Sequence, residues 1–239
     1  MASVTIDAVV FDLFGTLVPE FDRSDFYDAV DRMAETLGAP SERFREEWNA
    51  SALDRQTGAF TDIEQNLRAI CSTLHVSLGD DALSRAVAIR ATLYDRWFFP
   101  RPGAMQTLRE LRSRGYLLAL ISMCAPDAPA RWRACELAPF VDAEVFSSET
   151  GLQKPDPSIY RHACDVLHVE PGNCIYVGDG AYGELTGAAE FGMHAYLIRD
   201  PHVDPAQQLT PERDEGWTGA EIADLRDLLD LLPAPGPTR

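Results

Sequence analysis

The stretch IDAVVFDLFGTL, residues 6–17, decides the fold. Its first eight residues form a continuous apolar run rich in Val and Ile, closed by Gly15. A run of that length without polar alternation suits a strand buried on both faces of a parallel sheet. Similar runs recur at 117–122 (LLALIS), 143–147 (AEVFS), 174–178 (CIYVG) and 194–198 (HAYLI). Helical periodicity separates them at 103–114, 127–136, 156–167 and 182–191. Strand and helix in alternation predict an α/β domain with a doubly wound parallel sheet and right-handed crossovers.

Residues 20–98 read differently. Four amphipathic segments, near 24–37, 41–55, 61–75 and 80–97, follow one another with no strand between them. Thr61 and Glu64 have capping-box spacing at the start of the third. The sequence therefore predicts a Rossmann-like core, residues 1–18 and 100–239, and an inserted all-helical cap over 19–99. Pro100 and Pro102 mark the return to the core. A last helix is expected at 219–232, with PAPGPTR behind it as a frayed tail.

Composition narrows the function classes. The chain has 239 residues, a formal net charge of −17 and 46% apolar residues. So acidic a surface repels nucleic acid and anionic membranes, and neither is expected as a partner. The N-terminal apolar run is short and has no basic segment before it. A cytoplasmic protein is expected, monomeric or homodimeric, acting on a small molecule. Five scattered cysteines without CxxC spacing suggest reduced thiols. The only lysine is Lys154.

Ligands of open α/β sheets bind at the carboxyl ends of the strands. The first strand ends at Asp12 and Thr16, and the second at Ser122. The segment after the third carries Lys154 in QKPDPSIY, and the fourth ends in VGDGAYGE with Asp179 and Glu184. Carboxylate, hydroxyl, ammonium and a carboxylate pair thus stand in order at neighbouring strand ends. These stretches resemble the four motifs of the haloacid dehalogenase superfamily of hydrolases: FDLFGTL, the isolated Ser122, KPDPSIY and GDGAYGE. The likeness extends over essentially the whole chain, with the helical insertion at the commonest cap position. It implies a site between core and cap. Asp12 would be the nucleophile, with Thr16, Ser122 and Lys154 as further catalytic groups. Mg²⁺ would be held by Asp12, the backbone carbonyl of Phe14, Asp179 and Glu184, the last directly or through water. A small, anionic phosphorylated metabolite would be the substrate, contacted by Phe14, Gly15, Met123 and the cap residue Arg55.

One position departs from the phosphatase pattern. Superfamily phosphatases carry a second Asp, a general acid and base, where this chain has Phe14. Phenylalanine transfers no proton. Four readings stay open: a phosphatase for good leaving groups, or one fed a proton by His75, Asp22 or Tyr182; a carbon–halogen hydrolase; a phosphonate hydrolase; and a ligand-binding protein of little activity. Superfamily dehalogenases have an aromatic residue at the position of Phe14 and lack the metal site. They carry Asn where this chain has Met123, and a Trp-Arg pair whose nearest match here is Trp48-Asn49. A phosphonate hydrolase would use a cap lysine, and the cap has none.

Overall fold

A computed structural model describes residues 5–199, 207–209 and 216–232. The chain runs β1 (Ala8–Phe11), α1 (Arg23–Leu37), α2 (Ser41–Ala50), α3 (Ala52–Gln56), α4 (Ile63–Thr73), α5 (Asp80–Trp97), α6 (Ala104–Ser113) and β2 (Leu117–Ser122). It continues through α7 (Ala128–Arg133), β3 (Ala143–Phe146), α8 (Ser147–Thr150), α9 (Pro157–Leu167), β4 (Cys174–Gly178), α10 (Glu184–Phe191), β5 (His194–Ile198), β6 (Ala220–Ile222) and α11 (Leu228–Leu231). The six strands form one parallel sheet in the order β3-β2-β1-β4-β5-β6.

β1 lies at the centre because all four of its side chains are buried, alternately toward opposite faces. Val9 and Phe11 enter one core with Leu108 of α6 and Trp132 of α7, while Ala8 and Val10 enter the other with Ile159 of α9 and Leu185 of α10. Val10 stands between Ala119 of β2 and Tyr176 of β4. The chain leaves β1 toward β2 on one side and returns to β4 on the other. The carboxyl ends of β1 and β4 therefore flank the switch in winding direction where such sheets bind ligands.

The five helices α1–α5 all fall between β1 and β2. α1 and α5 pack along each other, and their stripes of Phe26, Val30, Met33, Leu83 and Leu93 join the core on the Phe11 face.

Local structure departs from the sequence reading at three points. The segment 41–55 breaks into α2 and α3, where the Ser51 hydroxyl turns back to the carbonyls of Glu47 and Trp48. α4 is capped by Asp62, whose carboxylate accepts the Gln65 N–H, rather than by Thr61. The expected helix at 219–232 is instead β6, a single 3₁₀ turn at Leu225–Asp227 and α11. Ile222, Leu225, Leu228 and Leu232 repeat at helical spacing, but strand and turn bury them equally well. The PAPGPTR tail lies outside the described residues. Among the described residues, no helix is long and apolar enough to cross a membrane.

Leu120, fully buried in β2, and the exposed Leu53 of α3 make a paired test of this core. Leu120→Ala is expected to cost about 2–5 kcal/mol in urea unfolding. Leu53→Ala should stay within about 0.5 kcal/mol.

Candidate active site

Asp12 sits one residue beyond β1. Its N–H bonds to the Val177 carbonyl of β4 at 2.9 Å, so the ladder extends into the site and fixes the Asp12 backbone. The chain then turns at once, with the N–H groups of Thr16, Leu17 and Val18 all bonding to the Leu13 carbonyl. Gly15 takes φ +76° in this turn, and a Cβ there would stand 2.2 Å from Asp179 Oδ2. Glycine is required on both counts. Ser122 ends β2, Asp179 follows β4, and Glu184 opens α10.

Lys154 joins these groups. Its Nζ lies 2.5 Å from Asp12 Oδ1 and 2.6 Å from Glu184 Oε2. Glu184 is otherwise fully engaged: Tyr176 donates its hydroxyl to Oε2 at 2.7 Å, and the Gly180 N–H bonds Oε1 at 3.0 Å. Asp179 Oδ1 accepts the Ala181 N–H at 3.0 Å. The Lys154 N–H points at Met123 Sδ, 3.4 Å away, which ties the end of β2 to the lysine segment.

The electrostatics are unbalanced. Asp12, Asp179 and Glu184 are at most 6% exposed and Lys154 5%. One carboxylate oxygen from each of the three acids lies within 4.8 Å of the others. At an effective dielectric of about 20, each such pair of charges repels by about 3 kcal/mol or more. Burial pushes the Asp12 carboxyl up; Lys154 draws it back and Asp179 pushes it up again. Burial and then Asp12 raise Glu184 to about 7. Burial alone would drive the Lys154 ammonium toward neutrality, but Asp12 and Glu184 outweigh it and raise its pKa. One ammonium thus faces three carboxylates. That surplus of hard oxygen donors is a chemical fit for a divalent cation.

Two further polar atoms are left open. The hydroxyls of Thr16 and Ser122 are buried without a hydrogen-bond partner among the described residues. Buried hydroxyls are seldom left unbonded in a native protein, and a ligand oxygen would satisfy both.

Asp12, Phe14 and Met123 line a cavity of about 80 Å³ that Arg55, Arg90 and Tyr182 also line. The half-buried Phe14 ring leans on Phe21, centroid to centroid 5.2 Å, with Tyr94 and Phe98 edge-on. An apolar wall therefore stands where a second carboxylate was sought. Among the three alternative proton donors, Tyr182 lines the cavity and its hydroxyl accepts from Gln56 Nε2 at 2.9 Å. His75 is exposed beyond α4 and Asp22 caps α1, so neither is brought to Asp12.

Arg55 is 5% exposed. Its Nη1 donates to Asn66 Oδ1 at 2.9 Å, and the guanidinium lies 3.9 Å over the Trp48 ring. The sequence paired Trp48 with its neighbour Asn49; the structure pairs it with Arg55 instead, because the break at Ser51 turns α3 back over α2. Sequence reading missed Arg90 and Glu20, which also line the cavity. Arg90 did leave a signal. Leu83, Ala86, Arg90, Leu93 and Tyr94 form the buried stripe of α5, and an arginine within an apolar stripe needs a partner.

The family model of haloacid dehalogenase-like hydrolases matches residues 6–192. The chain is 28% identical to (S)-2-haloacid dehalogenase 4A of Burkholderia cepacia over 87% of its own length and 89% of the relative's. It is 30% identical to the glyceraldehyde 3-phosphate phosphatase of Methanopyrus kandleri over 65% of its own length and 67% of the relative's. A crystal structure of a dehalogenase superposes with a TM-score of 0.60 at 26% identity, covering 98% of this chain and 100% of that one. The HAD phosphatase of Thermococcus onnurineus shares the fold with a TM-score of 0.65 at 22% identity, covering 96% and 99%.

Relieving the crowding of carboxylates tests its cost. In the presence of a chelator, Asp179→Asn is expected to raise stability in urea unfolding by about 1–2 kcal/mol. No gain, or a loss, would mean that the three acids are not in net repulsion.

Proposed function

Because the chain belongs to the haloacid dehalogenase-like hydrolase family, we propose that it is a Mg²⁺-dependent phosphatase with Asp12 as nucleophile. The observation that carries this reading is the cluster at the strand ends, where, among the described residues, three buried carboxylates lie together and one ammonium bonds two of them. A divalent cation makes up that deficit. A halogenated carboxylic acid would bring a further negative charge to the same place. Asp12, Asp179 and the main-chain carbonyl of Phe14 would hold the ion. Glu184, with both oxygens engaged, would act through water or by holding Lys154. When bound, the ion supplies neutralisation of nucleophile and substrate charge.

The protein's own groups account for the rest. The Asp12 carboxylate attacks phosphorus, the bond to the leaving oxygen breaks, and an aspartyl phosphate forms. Water then cleaves that acyl phosphate, releasing phosphate and restoring the carboxylate. Lys154 orients Asp12 through Oδ1 and offsets charge on the phosphoryl oxygens. Thr16 and Ser122 donate to those oxygens, which gives both hydroxyls partners. Phe14 supplies no proton, so the substrates favoured are those whose leaving group departs as a stable anion: acyl, enol and aryl phosphates.

A specific observation favours a second reading, carbon–halogen hydrolysis. Arg55 stacks on Trp48 beside the aromatic Phe14, an arrangement suited to a small carboxylate or a halide. Halide also leaves without a proton.

Hydrolysis of 4-nitrophenyl phosphate is expected to require Mg²⁺ and to vanish in Asp12→Asn. Metal-independent chloride release from 2-chloropropionate, with no phosphate release, would overturn the phosphatase in favour of the dehalogenase. Mg²⁺ should also raise the Tm of the parent protein more than that of Asp179→Asn. Phe14→Asp is expected to raise activity on alkyl phosphates relative to aryl phosphates by about 10²-fold, the contribution of a general acid. An equal change on both would mean that a proton already reaches the leaving group.

A further inference from the structure

Hydrolysis of the Asp12 acyl phosphate needs a base for the attacking water, and Phe14 offers none. Titratable groups from several segments line the cavity beside Asp12, and their chemistry leaves one of them for that task. Asp12 itself carries the phosphoryl group at that stage. Arg55 and Arg90 are guanidinium groups and accept no proton. Burial raises the Tyr94 hydroxyl and pushes the Cys124 thiol up to about 12, so both keep their protons. The Tyr182 oxygen already accepts from Gln56 Nε2, and a neutral phenol is a weak base. Among the described residues that line the cavity, Glu20 is the remaining acid.

The chain brings Glu20 there by folding back on itself. Val18 pairs with Phe14 in an isolated bridge, and its N–H bonds the Leu13 carbonyl at 3.0 Å. Phe21 lays its ring against Phe14, and its own carbonyl accepts the Leu209 N–H at 3.2 Å. Glu20 thus lies between two anchored residues. Its Oε1 accepts the Phe21 N–H at 3.0 Å, which holds the carboxylate against its own backbone. It is half-buried, so it lines the cavity and still meets solvent. A cavity of about 80 Å³ holds only a few waters, so a water bound to Glu20 is a neighbour of Asp12. The carboxylate absent from position 14 is supplied from position 20.

We infer that Glu20 is the catalytic base of the second half-reaction, activating the water that cleaves the Asp12 acyl phosphate. This rests on the reading of Asp12 as the nucleophile of a phosphatase. The water oxygen bonds phosphorus. The bond from phosphorus to the Asp12 oxygen breaks, its electron pair returns to the carboxylate, and one water proton passes to Glu20. Phosphate departs, and Glu20 sheds the proton to solvent from its exposed side. The first half-reaction takes nothing from Glu20, since a carboxylate has no proton to give. The preference for leaving groups that depart as stable anions is therefore unchanged.

The test follows both half-reactions by rapid mixing with 4-nitrophenyl phosphate and Mg²⁺. E20Q keeps the shape of the side chain and an oxygen for the Phe21 N–H, but it cannot take a proton. It is expected to release a burst of about one 4-nitrophenolate per enzyme, as fast as the parent, and then to turn over about 10²-fold more slowly. Peptide mass spectrometry of the acid-quenched variant should find the phosphoryl group on Asp12. Should E20Q not fold, E20A with added formate decides: formate is expected to restore turnover by about tenfold and to leave the burst unchanged. Equal slowing of burst and turnover, no slowing of either, or no response of E20A to formate overturns the inference. If the parent releases no 4-nitrophenolate, the phosphatase reading fails on its own, and 2-chloropropionate takes the place of the phosphate ester. E20Q should then accumulate Asp12 as the ester of the acid, chloride having left; E20Q free of that ester overturns the inference.

Discussion

The Lys154 ammonium, held between Asp12 and Glu184, is the interaction on which the site depends. It bonds two of the three buried carboxylates of the site, and it draws on three separate chain segments. The Asp12 backbone is fixed by β4, the lysine segment is tied to the end of β2 through Met123, and Glu184 is held by Tyr176 and Gly180. Removing Lys154 would leave buried carboxylates without their partner, a far larger cost than the loss of an exposed ion pair. The sheet order allows this, because β1 and β4 are neighbours and their carboxyl ends lie side by side although most of the chain runs between them.

Much of this was legible in the sequence, for a physical reason. A strand buried on both faces must be apolar throughout, so the polar residue that ends such a run stands out. Asp12, Ser122 and Asp179 are visible in that way, and the parallel winding follows from the helices between the runs. What escaped the sequence depends on tertiary geometry. The β6 segment has helical spacing yet pairs as a strand, because an edge strand needs few apolar residues and Tyr196–Ile198 offered an open ladder. Arg55 and Trp48 lie seven positions apart and meet through a break at Ser51 that no motif announces. Phe14 was legible as a missing acid, but its packing with Phe21, Tyr94 and Phe98 was not.

The cavity brings an acidic side, Asp12 and Glu20, and a basic side, Arg55 and Arg90, into one lining with the Phe14 ring. Each side would be costly alone, since isolated buried charges are poorly tolerated. Hydrogen-bond donors on both sides are already placed, so little rearrangement would be required on binding.

Gly15 and Asp179 lie so close that not even a methyl group fits between them. The two loops at the base of the site are thus locked against insertion, deletion or any larger residue. The helices α1–α5 contribute Arg55 and Arg90, and Arg90 is tied back to Asp127 beyond β2. A larger side chain at position 15 would have to displace the Asp179 carboxylate, so the base of the site couples the backbone of one loop to the charge of the next.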